Sequence, residues 1–324
     1  MTSLPLLEVD SLTVEYRTRR GAIRAVDGVS FSLDKGETLG LVGESGSGKS
    51  TLGHSLIRLL PYPGLIVSGH IRIYGKDILN YSEEEMRHIR GERIAYIFQD
   101  PMTSLNPVKK VGDHLIEFIR THKPEISREE ALRRAEKALK DVGIPPERMS
   151  DYPHQFSGGM RQRIMIALAI ALNPDIVIAD EPTTALDVIV QAKILDLLER
   201  LRDAYGMALI LITHDISIVL ERCERVIVMY AGKFVECTDS ISLYKDPKHP
   251  YTQGLLRTVP NIELADQKLE GIPGSPPDLL DPPKGCRFWP RCPYAMKVCR
   301  VKEPPMIELG GRSVRCFLYE GMGR

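Results

Sequence analysis

A glycine-rich segment carries the residue types that bind phosphate. Residues 43–50 read GESGSGKS and fill the pattern G-x-x-x-x-G-K-[ST]. An apolar run at residues 39–42 precedes the segment and a helical pattern at residues 51–60 follows it, which is the context that the pattern requires. Glycines let successive backbone N–H groups point inward at a helix N-terminus, where an anion is favoured. The segment therefore predicts a phosphate-binding loop.

Two side chains of this loop would act directly on the phosphates. Lys49 supplies a point charge for the β- and γ-phosphates, and Ser50 supplies a hydroxyl where Mg²⁺ would sit. Tyr16 lies upstream, at the end of a predicted strand. It is either an aromatic residue of an edge strand or a flat ring on which a purine base stacks. The expected nucleotide contacts in the loop are Gly43, Glu44, Ser45, Gly46, Ser47, Gly48, Lys49, Ser50 and Thr51.

Three predicted strands end in polar residues that can handle Mg²⁺ and water. Asp180 and Glu181 follow the hydrophobic strand predicted at residues 175–179, at the strand end where a parallel sheet presents its ligand site. An aspartate there can hold Mg²⁺, and a glutamate can orient or deprotonate a water that attacks a γ-phosphate. Gln99 can offer a neutral oxygen to Mg²⁺, and His214 can reach a γ-phosphate. Each of these residues, taken alone, also fits a structural role.

A second candidate anion site precedes an apolar helix. Ser157, Gly158 and Gly159 can form a cradle from backbone N–H groups and one hydroxyl. The spacing leaves open whether the two phosphate-binding features converge within one molecule or serve different nucleotides.

The composition indicates a sizeable core and no overall charge. Of the 324 residues, 43% are hydrophobic, and 43 Lys and Arg balance 43 Asp and Glu. Zero net charge gives no bulk attraction to nucleic acid or anionic lipid. The longest uncharged apolar run, residues 164–172, is about half of a membrane-spanning length, and no basic and apolar leader opens the sequence. We therefore expect a soluble intracellular protein whose cysteines do not form structural disulfides.

Strand and helix patterns alternate along most of the chain, which indicates an α/β fold with a mainly parallel sheet covered on both faces. Residues 101–153 have helical but no strand patterning and are interpreted as a helical subdomain inserted into the core. A basic turn is expected at residues 17–24. Strands are expected at residues 6–16, 26–33, 39–42, 69–74, 94–98, 175–179, 208–212, 226–230 and 233–237. The longest helices are expected at residues 127–142, 160–172 and 188–205.

The character of the sequence changes from about Tyr251. Prolines crowd residues 273–305, and such a segment buries little core of its own, so it needs docking or a cross-link. Four thiolates here could hold an iron–sulfur cluster or zinc, although the C-x-x-C spacing typical of zinc sites is missing, or they could remain free. These cysteines are Cys286, Cys292, Cys299 and Cys316. Cys223 and Cys237 fall in the α/β pattern and are expected in its core.

The motifs of residues 6–240, and the order in which they occur, resemble those of the ATP-binding cassette (ABC) ATPases. These are the soluble ATP-hydrolysing subunits of ABC transporters. Tyr16 resembles the adenine-stacking aromatic, residues 43–50 the phosphate loop, Gln99 the switch glutamine and His214 the switch histidine.

The remaining motifs of that family also have counterparts. Residues 156–162, FSGGMRQ, are similar to the signature sequence, with Phe156 where Leu is usual. Residues 176–181 resemble the magnesium strand with its catalytic glutamate. The segment 184–187, TALD, ends in Asp187 and resembles the loop that faces a partner cassette.

This resemblance implies a P-loop NTPase ABC core with a mainly parallel sheet, an antiparallel β subdomain and an inserted helical subdomain. It implies that ATP and Mg²⁺ are bound, with Ser50, Gln99 and Asp180 at the Mg²⁺ and with Lys49, Glu181 and His214 as catalytic residues. In the family two cassettes pair head to tail, so the signature of one, here residues 157–159, closes on ATP held by the phosphate loop of the other.

The tail resembles the C-terminal extension of dipeptide and oligopeptide importer ATPases, a group that also contains nickel importers. The matching segments are residues 249–252, 271–277 and 285–294. The four tail cysteines match those of the extension, which is associated with a [4Fe–4S] cluster in some members. We therefore expect an ABC domain at residues 1–250 and an extension at 251–324.

The partners that this resemblance implies are two transmembrane permease subunits, an extracytoplasmic peptide-binding protein and a second ABC ATPase, a related but different chain. The protein would then lie at the cytoplasmic face of the cell membrane. Which peptide is carried, or whether nickel is, stays open, and so does the identity of the second cassette.

Two other classes fit less well. A soluble ABC protein acting on nucleic acid or ribosomes usually has two cassettes or a long coiled-coil insertion, and its partners favour a basic face. A P-loop small-molecule kinase would lack the signature at residues 157–159. The leading expectation is therefore the ATP-hydrolysing subunit of a peptide importer.

Overall fold

The computed structural model describes residues 4–100, 104–184, 186–259 and 271–322. By their contacts the residues form two compact units. The helical unit consists of Leu33–Glu37 and Asp77–Ile210 together with the N-terminal residues up to Leu6. The phosphate-loop unit consists of Leu7–Ser32, Thr38–Lys76 and Leu211–Arg324.

The strands, in chain order, are β1 Leu7–Thr18, β2 Gly21–Leu33, β3 Thr38–Val42, β4 Gly64–Ile73, β5 Lys76–Asp77, β6 Ile94–Ile97, β7 Ile176–Asp180, β8 Ala208–Thr213, β9 Arg225–Tyr230, β10 Lys233–Asp239, β11 Ile307–Leu309 and β12 Arg312–Val314. The helices are α1 Lys49–Leu56, α2 Glu83–Ile89, α3 Val111–His122, α4 Arg128–Asp141, α5 Gly158–Ile170, α6 Val188–Tyr205, α7 Ile216–Arg222, α8 Ser240–Lys245 and α9 Pro250–Arg257.

The phosphate-loop unit contains the expected antiparallel sheet, with strand order β2-β1-β4-β5. Strand β1 runs antiparallel to β4, with Leu7 opposite Ile73 and Tyr16 opposite Gly64. The expected basic turn at residues 17–24 is wrong, because β1 continues to Thr18 and β2 already begins at Gly21. The arginines on either side of this tight turn are compatible with strands because their side chains reach solvent.

The same unit carries a second set of strands in the order β11-β12-β10-β9-β3. Strand β3 runs parallel to β9, and β10 runs antiparallel to both β9 and β12. Residues 233–237 were the last strand expected from the sequence, but β10 is not the last strand of this set, since Val314 of the C-terminal region lies opposite Glu236. Strands β11 and β12 are too short to show an alternating pattern in the sequence.

The helical unit contains the parallel pair β6 and β7, with Tyr96 opposite Ile178. All five residues of β7 are buried, as expected for a strand covered on both faces.

Between residues 104 and 153 the structure has helices α3 and α4 and short 3₁₀ turns but no strand, which agrees with the predicted helical segment. Helix α4 begins after Ser127, whose hydroxyl accepts the N–H of Glu130. In the described ranges, no helix is long and apolar enough to cross a membrane.

Candidate nucleotide site

The phosphate loop follows β3 directly, and two of its glycines are required by close backbone contacts. A Cβ on Gly43 would lie 2.1 Å from the carbonyl oxygen of Met229, and a Cβ on Gly48 would lie 2.0 Å from that of Ala25. Gly48 also has a φ of +103°, which side-chain-bearing residues rarely adopt. The carbonyl of Ser47 accepts the N–H of Gly232 at 2.8 Å. Neighbouring backbone therefore packs closely against the loop.

Lys49 spans this loop. Its ammonium donates to the carbonyl oxygens of Gly43 at 2.7 Å and Glu44 at 3.0 Å, and to Ser47 Oγ at 3.4 Å. The residue is only 5% exposed and is the first of helix α1. The N-terminus of α1, which favours anions, therefore adjoins the same loop that the Lys49 ammonium contacts. This arrangement can bind a polyphosphate.

Tyr16 lies near the helix that follows the loop. Its Oη is 3.3 Å from Thr51 Oγ1, and its ring packs against Gly64, where a Cβ would lie 2.8 Å from Tyr16 Cε1. Ser50 is half-buried, and Ser45 and Gly46 are exposed. His214, in the same unit, is exposed just after β8. The stacking role of Tyr16 and the phosphate-sensing role of His214 stay predictions.

The structure brings Gln99 and Glu181 together in the helical unit. Gln99 Nε2 donates to Glu181 Oε2 at 3.0 Å, and Thr184 Oγ1 donates to the same oxygen at 2.8 Å. Glu181 has a φ of +45°, an uncommon conformation for a residue with a side chain. Such strain occurs preferentially at functional sites. The carboxylate is therefore held by two donors immediately beyond the end of β7.

Asp180, the last residue of β7, is 3% exposed and accepts a hydrogen bond from Tyr96 Oη at 2.6 Å. Burial and the Asp180 carboxylate raise the pKa of Tyr96, so the phenol stays protonated and acts as the donor. Sequence reasoning missed Tyr96. The available signal was its place on β6, three residues before Gln99.

Residues 157–159 and Asp187 also lie near each other in the helical unit. Ser157 caps α5, with its Oγ 3.4 Å from the Met160 nitrogen, and Asp187 caps α6 by accepting the N–H of Val190 at 3.0 Å. A Cβ on Gly159 would lie 2.7 Å from Val190 Cγ1. Ser157 and Gly158 are exposed.

The four tail cysteines line a single cavity, together with apolar residues such as Phe288, Trp289 and Phe317. Burial raises the pKa of Cys286 to about 11 and that of Cys316 to about 12. Yet in the part of the chain that the structure describes, no group of three or more His, Cys, Asp or Glu side chains is arranged to hold a metal ion. The structure thus gives no support for the expected iron–sulfur cluster. Outside the tail, Cys223 is buried as expected, whereas Cys237 is only partly buried.

The fold and these sites define an ABC ATPase, and comparisons with known proteins agree. A family model described as "ABC transporter" matches residues 26–184, and one described as "Oligopeptide/dipeptide transporter, C-terminal region" matches residues 235–299. The solved dimeric structure of the ATP-binding cassette MJ0796 in a post-hydrolysis state bound to ADP and Pi aligns with a TM-score of 0.64. Its sequence is 29% identical, and the alignment covers 72% of this chain and 98% of that one.

Curated relatives define the subfamily. The oligopeptide transport ATP-binding protein OppD of Bacillus subtilis is 50% identical over 308 residues, which cover 94% of this chain and 86% of that protein. The dipeptide transport ATP-binding protein DppD of Escherichia coli is 46% identical over 316 residues, covering 97% and 96%. The chain belongs to the oligopeptide/dipeptide (Opp/Dpp) importer subfamily of ABC transporter ATP-binding subunits, and it is an ATPase of the ABC type.

Proposed function

We propose that this chain binds and hydrolyses ATP and thereby drives uptake of dipeptides or oligopeptides through separate membrane subunits. The observation that carries the proposal is the phosphate loop. Lys49, the first residue of α1, donates to the loop carbonyl of Gly43, and neighbouring backbone leaves no room for a side chain at Gly43 or Gly48. The peptide substrate is supported by the names of the relatives and by the match of residues 235–299 to the transporter C-terminal region.

The proposed roles follow the chemistry of each side chain. Lys49 and the loop N–H groups bind the β- and γ-phosphates, and Tyr16 stacks on the adenine. Ser50, Gln99 and Asp180 are the residues that would hold Mg²⁺ directly or through water, and their hydroxyl, amide and carboxylate oxygens fit a hard cation. When bound, Mg²⁺ neutralises charge on the phosphate oxygens.

Hydrolysis requires a positioned water. Glu181, held by Gln99 and Thr184, is the proposed residue that orients and deprotonates this water. His214 is the proposed contact to the γ-phosphate. Both assignments rest on the match to the family pattern and on the strand-end positions of the two residues.

The functional unit in this proposal is a pair of cassettes. The exposed Ser157 and Gly158 of one chain would contact ATP on the phosphate loop of the other, and Asp187 would face the partner. The second cassette is proposed to be a related chain, with two permease subunits and an extracytoplasmic peptide-binding protein completing the importer. The assembly would place this chain at the cytoplasmic face of the membrane.

Substitution of Glu181 tests the catalytic assignment. The Glu181→Gln variant of the assembled importer should bind ATP as well as the wild type but hydrolyse it about 10²–10⁴-fold more slowly, because the general base is lost. Glu147→Gln makes the same charge change at an exposed position of the same unit and serves as the control. Near-normal turnover in Glu181→Gln would remove Glu181 from this role.

Uptake of a labelled dipeptide, with nickel uptake measured in parallel, tests the substrate class.

The cysteine cavity is proposed to accept a metal centre, either an iron–sulfur cluster or zinc. The support is the convergence of all four thiols on one cavity, although they do not form a ready ligand set. Metal analysis and visible absorbance of protein purified without oxygen test the proposal, with Cys292→Ser as the variant and Cys237→Ser as the control. Metal-free, colourless wild-type protein would leave the tail cysteines as free thiols.

A further inference from the structure

The C-terminal region holds the phosphate loop through a salt bridge. Arg291 Nη1 donates to Glu44 Oε2 at 2.7 Å, and Nη2 donates to Glu44 Oε1 at 3.0 Å. This is the two-pronged geometry in which a guanidinium matches a carboxylate best. Glu44 is the second residue of the loop, and Arg291 lies 247 residues further along the chain. Both residues belong to the phosphate-loop unit.

The guanidinium has an acceptor for each of its five N–H groups. Besides the two bonds to Glu44, it donates to the carbonyl oxygens of Pro273 at 2.9 Å and Ile272 at 3.1 Å, and to Tyr230 Oη at 3.3 Å. The side chain is 5% exposed, whereas that of Glu44 is 26% exposed. Arg291 is therefore locked in place, and the ion pair is largely shielded from water.

The backbone of Glu44 is held from the same side. Its N–H donates to Tyr251 Oη at 2.8 Å. The Tyr251 ring packs on Tyr230, with centroids 4.6 Å apart, and on Phe288, with centroids 5.4 Å apart. The carboxylate and the peptide nitrogen of Glu44 are thus both fixed by residues outside the loop.

A carboxylate next to a phosphate-binding loop is unfavourable for anion binding unless its charge is compensated. Like charges repel more strongly at a partly buried site than in water. Arg291 supplies the compensating charge and at the same time prevents Glu44 from turning into the loop. A Lys in its place could supply the charge but not the paired hydrogen bonds.

We propose that Arg291 is a positioning residue for the nucleotide, which neutralises Glu44 and fixes the phosphate loop for ATP. This inference rests on the proposed function of the loop. It makes the C-terminal region part of the ATP site in this chain, and it assigns that region a role that does not depend on whether the cysteines bind a metal.

A double-mutant cycle of charge-neutralising substitutions on the intact importer tests the proposal. Arg291→Gln should raise the Kd and KM for ATP about tenfold, the equivalent of ~1.4 kcal/mol, with kcat at saturating ATP nearly unchanged. Glu44→Gln alone loses part of the contact with Arg291 but also removes the carboxylate charge, so it should lose less ATP affinity than Arg291→Gln. The double variant should regain most of the lost affinity, because the uncompensated carboxylate is gone. Arg291→Lys should fall between wild type and Arg291→Gln.

Arg315→Gln is the matched control. Arg315 lies in the same C-terminal region, pairs with Glu303 at 3.0 Å and donates to the carbonyl of Phe234, and it has no bond to the loop. Its loss should lower the melting temperature without changing the Kd for ATP. An Arg291→Gln variant that melts earlier but binds ATP normally would overturn the proposal, and so would a double variant that stays weak.

Two further outcomes are informative. If Arg291→Gln does not fold, Arg291→Lys replaces it in the test. The Kd for ATP is then compared among wild type, Arg291→Lys and the double variant Arg291→Lys with Glu44→Gln. Equal Kd values in the three proteins would overturn the proposal. If the wild-type importer binds no ATP, the proposed function itself fails, and that result is distinct from a failure of the Arg291 assignment.

Discussion

Tyr96 Oη donates a hydrogen bond of 2.6 Å to Asp180 Oδ2 across the parallel pair β6 and β7. Asp180 is the proposed Mg²⁺ residue and is almost completely buried. A buried carboxylate requires hydrogen-bond donors, and a phenol whose pKa is raised by burial supplies one at every accessible pH. The bond therefore orients the carboxylate that would hold Mg²⁺.

We predict that Tyr96→Phe weakens the Mg²⁺ site and the fold together. Hydrogen bonds to charged groups contribute about 1.5–3 kcal/mol, so the free energy of unfolding should fall by about 2 kcal/mol. The Mg²⁺ concentration for half-maximal ATPase activity should rise, because Asp180 is less well oriented. Tyr62→Phe removes a hydroxyl from a fully solvent-facing tyrosine and should change neither quantity. Equal Mg²⁺ dependence in all three proteins would contradict the prediction.

The loop glycines lead to a second prediction. Gly46 and Gly48 both have left-handed backbones, with φ of +77° and +103°, but only Gly48 lies against backbone, since nothing is within 4 Å of a Cβ on Gly46. Gly46→Ala should therefore cost about 1–2 kcal/mol for its conformation alone. Gly48→Ala should cost more and abolish ATP binding, because the Ala25 carbonyl must move. Thermal unfolding and ATP binding, measured side by side, check this order; similar losses in both variants would refute it.

Because of the buried His249, we predict that the free energy of unfolding falls in acid. It is completely buried, which lowers its pKa from 6.5 to about 3, and its Nδ1 accepts the N–H of Tyr251 at 3.1 Å. The folded protein keeps this imidazole neutral while the unfolded chain protonates it. The resulting stability is complete above pH 6.5 and is lost as the pH falls from 6.5 towards 3.

The corresponding measurement is denaturant unfolding at several pH values. The contribution of His249 should decline by about 1.4 kcal/mol for each pH unit below its unfolded pKa. His249→Gln should be less stable than wild type at pH ~8 but should lose less stability on acidification. His154→Gln changes an exposed histidine and should leave the pH dependence as it is. Parallel pH curves for wild type and His249→Gln would rule out the assignment.

The elements that the sequence predicted well are those specified by neighbouring residues. Helix α6 was expected at residues 188–205 and is observed at Val188–Tyr205, because Asp187 caps its start and Gly206, with a φ of +63°, ends it. Ser82 and Glu85 form a capping box at the start of α2, a contact between residues only three positions apart. The phosphate loop was recognisable for the same reason, since its glycines, lysine and serine lie within eight consecutive residues, 43–50.

What the sequence did not reveal depends on packing between distant segments. The β12–β10 pairing, the Tyr96–Asp180 bond and the Arg291–Glu44 salt bridge join residues separated by 76 to 247 positions. No periodic pattern encodes such pairs, since each depends on strand register or on how the C-terminal region packs.

The sequence by itself determined the alternation of strands and helices, the helix caps and the order of the nucleotide motifs, because these follow from backbone preferences and hydrophobic periods over a few residues. Only the tertiary structure decided which buried charges are paired, since a carboxylate such as Glu44 becomes compatible with an anion site only when the fold brings a guanidinium to it.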